Sequence, residues 1–314
     1  MSSPIVGPPW FRDLCASFLR YLVRKGRRPN TAKTYTYAFG DLGAWLDGEG
    51  IADAEHLTGS ALERWQDTFA TTHKASSQHV YAAAARSALK WAAMQEPPLA
   101  PPTLWLRLVI PRTPHLLPKP IPQRDLGQLL LALAPFPTIE APTKQYLERL
   151  RTRALFFTIL SSGMRIFEVL SLDRDQLQDR TATVIQKGGV EKLIVVSKAA
   201  EVAIADYLDA RADSCDALFV HHDRVRERDT RLSPSGARTG WNNLCTELGI
   251  RRFTSHQIRH SCATELLRQH VDSLVIAKHL GQRGLGAIAG YAEVGLAERH
   301  EFLEVLDDKI RRAS

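Results

Sequence analysis

Residues 111–122 read Pro-Arg-Thr-Pro-His-Leu-Leu-Pro-Lys-Pro-Ile-Pro. Five prolines in twelve residues cannot continue a helix, because each lacks an N–H and fixes φ, and together they favour a stiff, extended connector. The stretch divides the chain of 314 residues into a first domain over 8–110, a linker over 111–122 and a second domain over 123–314. That length agrees with two domains of ordinary size.

Ahead of the linker the apolar periodicity is helical throughout. Over 10–23, Trp10, Leu14, Phe18, Tyr21 and Leu22 recur on one stripe. The basic run Arg24-Lys25-Gly26-Arg27-Arg28 follows, and Pro29-Asn30-Thr31 reads as a break and an N-cap. Further helices are predicted over 31–46, 60–71 and 76–94. Beyond the linker, helices are predicted over 123–133 and 143–160, Ser161-Ser162-Gly163 breaks the second, and 166–172 forms a short one. The pattern then switches to alternation at 181–185 and 192–196, with the hairpin turn Gln186-Lys187-Gly188-Gly189 between them. A helix over 201–212 and a short strand over 217–220 follow, and the remainder is helical in pieces. The fold class is therefore mainly α with one small antiparallel β-sheet: a helical N-terminal domain and a mixed α+β C-terminal one.

Composition narrows the function classes. Apolar residues make up 44% and charged residues 24%, the balance of a globular protein. No window of about 18 uncharged apolar residues exists, and the N-terminus lacks the layout of a secretory signal. Cys15, Cys215, Cys245 and Cys262 are scattered, without a Cys-x-x-Cys pair, so four reduced thiols in a cytoplasmic protein are expected and neither a disulfide framework nor a zinc site is. The net charge of +7 divides as +4 over 1–118 and +3 over 119–314, a mild basic surplus that points to a polyanionic partner.

Four segments hold residues able to do chemistry. In Ser162-Gly163-Met164-Arg165-Ile166-Phe167-Glu168, the arginine follows a helix-breaking glycine, and Glu168 lies at the spacing that lets a carboxylate reach back to it. In Thr254-Ser255-His256-Gln257-Ile258-Arg259-His260, Thr254 and Gln257 fit a capping box. His256 then falls in the first turn, where free N–H groups favour an anion, with Arg259 on the same face and His260 pointing elsewhere. The third segment is His279-Leu280-Gly281-Gln282, with Tyr291 nine residues on. The fourth is Lys187 between turn residues at the hairpin tip. Read singly, each has a plain structural explanation: a surface ion pair, a packed histidine, a buried tyrosine, a solvated lysine.

Their order is more telling. Arg165-x-x-Glu168, Lys187, His256-x-x-Arg259, Leu280-Gly281-x and Tyr291 closely resemble the signature of the tyrosine recombinase (phage integrase) family. The resemblance covers 119–294 by motif, and 8–110 looks like the family's helical, SAM-like core-binding domain. It implies a metal-free phosphoryl transfer on double-stranded DNA at a specific site, without a cofactor. Tyr291 would attack the scissile phosphate and form a 3′-phosphotyrosine. Arg165 and Arg259 would hold the non-bridging oxygens, His256 would assist proton movement, and Lys187 would protonate the leaving 5′-oxygen. Glu168 and His260 would support these groups from behind. Two other readings share the motifs: a DNA-binding relative that has lost catalysis, and a DNA-relaxing enzyme of the type IB topoisomerase kind.

The resemblance also implies partners. A tetramer would assemble in synapsis through an amphipathic C-terminal helix over 296–313, an accessory protein would set direction, and the protein would associate with the nucleoid. The two domains would clamp one duplex, with Arg24, Lys25, Arg27, Arg28, Arg251 and Arg252 as backbone contacts. One position departs from the family. The residue after Leu280-Gly281 is usually His or Trp and here is Gln282, which donates an N–H but cannot shuttle a proton. Gly281, Gly284, Gly286 and Gly290 each weaken a helix by roughly 1 kcal/mol relative to Ala, so the Tyr291 segment is expected to stay mobile until DNA and neighbouring subunits order it.

Overall fold

The computed structural model describes residues 5–113, 119–135, 137, 139, 141–185, 189–222 and 230–281. Contacts within the chain divide it into two units, 1–115 and 116–314, and the break falls inside the proline-rich stretch. Each end of that stretch is tied to its own unit. His79 Nδ1 lies 2.8 Å from the carbonyl of Pro111, and the amide of Ile121 donates to Ser261 Oγ at 2.9 Å.

The first unit contains α1 (Pro9–Arg24), α2 (Pro29–Gly48), α3 (Gly59–Thr72) and α4 (Ala75–Ala93), then a single 3-10 turn at Leu104–Leu106. Its core joins Phe11, Phe18, Phe39, Leu42, Leu62, Trp65 and Leu89. On α1 the buried stripe is Phe11, Leu14, Cys15, Phe18 and Leu22, so Trp10 and Tyr21 sit at its edges rather than within it. The helix predicted from Thr31 begins earlier, with Pro29 at N1 and Arg28 in the capping position. A proline is well placed there, since the first helical N–H groups have no partner to lose.

The second unit contains α5 (Gln123–Ala132), α6 (Lys144–Ser162), α7 (Ile166–Leu170), β1 (Thr181–Ile185), β2 (Glu191–Val195), α8 (Lys198–Asp209), α9 (Pro234–Leu248), α10 (Ser255–Arg268) and α11 (Ser273–Leu280). Thr143, Ser197, Ser233, Thr254 and Asp272 cap five of these helices, each accepting from a backbone N–H of the first turn. Helix α6 runs through the middle of the unit and packs on α7, α8, α9, α10 and β2. It is buried around most of its circumference, which explains its two buried arginines. Arg151 donates to the Val220 carbonyl at 2.8 Å, and Arg153 donates to the Leu133 carbonyl and pairs with Asp206 at 2.5 Å. A charge this deep is stable only with such partners.

The sheet is two antiparallel strands in the register Thr181↔Val195 to Ile185↔Glu191. Ala182, Val184 and Ile194 face the core, while Ile185, Leu193 and Val195 are exposed. The strand predicted over 217–220 does not form. Ala217 bridges Asp173 and Val220 bridges Arg231, one residue each, so the buried apolar run 217–220 has no continuous ladder to join. Buried apolar runs of this length do not by themselves distinguish a strand from an irregular core segment. No described helix is long and apolar enough to cross a membrane.

Candidate active site

Helix α6 ends at Gly163, whose φ of 59° is left-handed. A Cβ added there would meet Leu280 Cδ2 at 2.2 Å, so the position needs glycine both for its backbone and for the close approach of α11. Two residues on, Arg165 occupies the capping position of α7. Glu168 reaches back to it twice: Oε2 accepts from the Arg165 amide at 2.9 Å and Oε1 from its Nη1 at 3.0 Å. The Glu168 side chain is 7% exposed and that of Arg165 is 40% exposed, so a buried carboxylate holds a guanidinium at the rim with part of it open to solvent.

Thr254 and Gln257 form a reciprocal capping box at the start of α10. His256 therefore lies in the first turn and Arg259 one turn further. Arg259 is 3% exposed and bridges two helix ends: Nη1 donates to the Gly163 carbonyl after α6, and Nη2 to the Leu280 carbonyl of α11 at 2.8 Å. His260 does not point elsewhere. Its ring centroid is 5.3 Å from that of His256, edge to face, because residues four apart share a helix face.

These neighbours set the protonation of the histidines. Partial burial, then Arg259 and Arg165, push His256 below its ordinary range. Burial, then His256 and Arg259, push His260 down to about 4. Both imidazoles are neutral at pH 7, which suits His256 to accepting a proton.

One residue of the cluster was not singled out from the sequence. Lys192 is on β2, in the phase of the alternation that faces inward with Ile194, and its Nζ donates to the His279 carbonyl of α11. Partial burial and then Arg259 push it down to about 8, Glu168 acting the other way. The signal was available: a lysine standing in the apolar row of an alternating strand. His279 itself is engaged, with Nε2 2.7 Å from the Ser161 carbonyl.

Lys187, Gln282 and Tyr291, and the helix predicted over 296–313, lie outside the described residues. The DNA-contact candidates Arg24, Lys25, Arg27, Arg28, Arg251 and Arg252 are all exposed. Lys25 donates to Tyr21 Oη at 3.1 Å. Among the described residues no group of three or more His, Cys, Asp or Glu side chains is placed to hold a metal ion. Arg165, His256 and Arg259 thus converge from α7 and α10, two cations and a neutral base, on a patch partly open to solvent. Such a set binds the oxygens of a phosphodiester and stabilises extra negative charge on them.

Comparison with known proteins points the same way. Residues 138–296 match the model of the phage integrase family. The tyrosine recombinase XerA of Thermococcus onnurineus (strain NA1) is 28% identical over 288 residues, covering 90% of this chain and 91% of its own. Two solved structures share the fold. The XerH site-specific recombinase bound to difH substrate aligns with a TM-score of 0.64 at 16% identity, over 93% of this chain and 88% of its own. A lambda integrase tetramer bound to a Holliday junction aligns with a TM-score of 0.63 at 14% identity, over 87% and 77%.

Proposed function

Since the chain belongs to the phage integrase family, we propose that it is a site-specific recombinase that cleaves and rejoins DNA through a 3′-phosphotyrosine at Tyr291. What supports the reading in the molecule itself is the convergence of Arg165 with His256 and Arg259, brought together from about 90 residues apart in sequence and acting electrostatically on one ring.

In this reading the Tyr291 oxygen attacks the scissile phosphorus and the bond from phosphorus to the 5′-oxygen breaks. The tyrosine proton passes to neutral His256, and Lys187 protonates the departing 5′-oxygen. Arg165 and Arg259 face the non-bridging oxygens, where charge builds in the transition state. Glu168 fixes Arg165, and His260, itself neutral, packs against His256 and fixes its ring. Gln282 donates an N–H to the same phosphate. The phosphotyrosine keeps the energy of the phosphodiester, so rejoining needs no nucleotide cofactor. The two guanidiniums supply the positive charge, so cleavage undiminished by a chelator is expected.

The XerH relative is bound to its recombination substrate and the lambda integrase relative is a tetramer on a Holliday junction. By analogy this chain acts on a duplex recombination site within the nucleoid, as a homotetramer joined through residues 296–313, with an accessory protein setting direction. Both units contribute to DNA binding, Arg24 to Arg28 from the first and Arg251 and Arg252 from the second.

The decisive experiment is a nicked suicide duplex carrying the site, sought first in DNA flanking the gene. Wild type should give a covalent adduct and Tyr291→Phe none. Tight binding without an adduct would replace this reading with that of a non-cleaving relative. Relaxation of plasmids lacking any specific site would replace it with that of a topoisomerase.

A further inference from the structure

We propose that Lys192 is a positioning residue of the cleavage reaction, fastening the strand that leaves the hairpin loop to the last turn of α11 and so keeping the hairpin in register with Arg259. The inference rests on the recombinase reading above.

The argument starts from the strand. In β2 the outward residues are Glu191, Leu193 and Val195, and the inward ones are Lys192 and Ile194. Across the ladder Lys192 stands opposite Val184, which is 3% exposed. An ammonium among Ala182, Val184, Ile194 and Val196 is costly unless it finds a strong acceptor. Its acceptor is a main-chain oxygen, that of His279.

That carbonyl lies in the last turn of α11, where carbonyls lack intrahelical donors and the helix dipole is negative. The next carbonyl along, that of Leu280, takes Nη2 of Arg259. Two cations from different elements thus seat on consecutive carbonyls of one helix end. Gly281 follows at a left-handed φ of 64° and leads the chain on towards Gln282. The ring of His279 holds the same turn to Ser161 of α6. The charged and titratable groups facing Lys192 are Arg259 and Cys262 from α10, Arg165 and Glu168 from α7, and His279 from α11. Lys192 is therefore inside the cationic cluster with its one observed hydrogen bond on the α11 backbone, and in this proposal its effect on the phosphate runs through Arg259 and the strand that follows Lys187.

The test compares wild type, Lys192→Met and Lys192→Arg. Three quantities are measured: the single-turnover rate on the suicide duplex at saturating DNA, the Kd for that duplex, and amide hydrogen exchange of residues 276–281, with α8 of the same unit as the internal control for folding. Lys192→Met should cleave about tenfold or more slowly with Kd within about threefold of wild type, the pattern of a group acting on the chemical step rather than on binding. Its α11 amides should exchange faster while those of α8 are unchanged. Lys192→Arg should recover most of the rate, since a guanidinium can donate to the same carbonyl. A Lys192→Met protein with wild-type rate and exchange would overturn the proposal, as would a Lys192→Arg protein as slow as Lys192→Met. If wild type forms no adduct at all, the recombinase reading fails on its own. Exchange in Lys192→Met then decides whether the α11 fastening exists.

Discussion

Arg259 donates to the main-chain carbonyl of Leu280 at 2.8 Å from a site only 3% exposed. Its other terminal nitrogen donates to the carbonyl of Gly163. A planar guanidinium seated on the ends of two helices has its orientation fixed before any DNA arrives. Preorganisation of that kind is how a cation stabilises a transition state without first paying to reorient. The same two contacts make Arg259 a structural bridge between α6 and α11, so its removal disturbs the frame as well as the charge.

Gly163→Ala should separate backbone strain from packing. Both Gly163 and Gly249 are left-handed, at φ of 59° and 64°, but a Cβ at Gly249 meets nothing within 4 Å while one at Gly163 strikes Leu280. Gly249→Ala should cost about 1 kcal/mol in urea unfolding, and Gly163→Ala a further 1–3 kcal/mol, roughly, from overpacking. Equal losses for the two variants would mean that α11 is not held against the α6 terminus as described.

Acid should destabilise the second unit through His222. The residue is 8% exposed and its Nε2 lies 3.0 Å from Tyr207 Oη. Burial, then Arg151 and Arg211, push it from 6.5 down to about 4. Its folded form stays neutral where the unfolded chain takes up a proton, so stability is full above pH 6.5 and falls as pH drops towards 4. The loss for a shift of this size is about 3 kcal/mol. His256, His260 and His279 are lowered too and act in the same direction. Urea melts of wild type and His222→Gln at pH 7 and pH 4.5 isolate the His222 share, and the variant should show the flatter dependence.

DNA should raise the titration midpoint of His256. In the free protein Arg259 and Arg165 add to partial burial in favouring the neutral ring. A phosphodiester held between them brings a negative charge beside the ring, offsets part of their positive charge and so favours the protonated form. Proton NMR of the imidazole in Tyr291→Phe, with and without duplex, should show the midpoint rise when the duplex is bound. A midpoint that stays or falls would place the phosphate elsewhere.

The basic run after α1 should appear in salt dependence. Arg24, Lys25, Arg27 and Arg28 are exposed and are offered as phosphate contacts. Each true contact adds about 0.9 to the slope of log affinity against log salt. Replacing all four with Ala should flatten the slope by roughly 3.6 and weaken binding similarly on all sequences. An unchanged slope would remove this run from the interface.

Much of this was legible in the sequence where the determining physics is local. The strand predicted over 181–185 coincides with β1, because strict alternation and a glycine-containing turn leave little choice. Thr254 and Gln257 announced the start of α10, because a capping box is satisfied within four residues. Pro29 reads as a break but is the first residue of α2, because a proline both ends and begins helices and only the helix itself decides which. The side of α10 that His260 occupies follows from helical spacing and was open to reading. The partners of Arg259 were not, since they lie 96 and 21 residues away and depend on how three helices pack. The acceptor of Lys192 is hidden for a related reason: a strand pattern says that a side chain faces inward, not which carbonyl waits there.

The acceptors at Ser161, Gly163, His279 and Leu280 are all peptide oxygens. No point mutation can delete a peptide oxygen. Sequence drift along α6 and α11 can therefore change the side chains while the seats of the arginine and the lysine persist, provided the glycine at 163 lets the two helix ends stay close. The vulnerability of this centre is concentrated in its donors and in one missing methyl group.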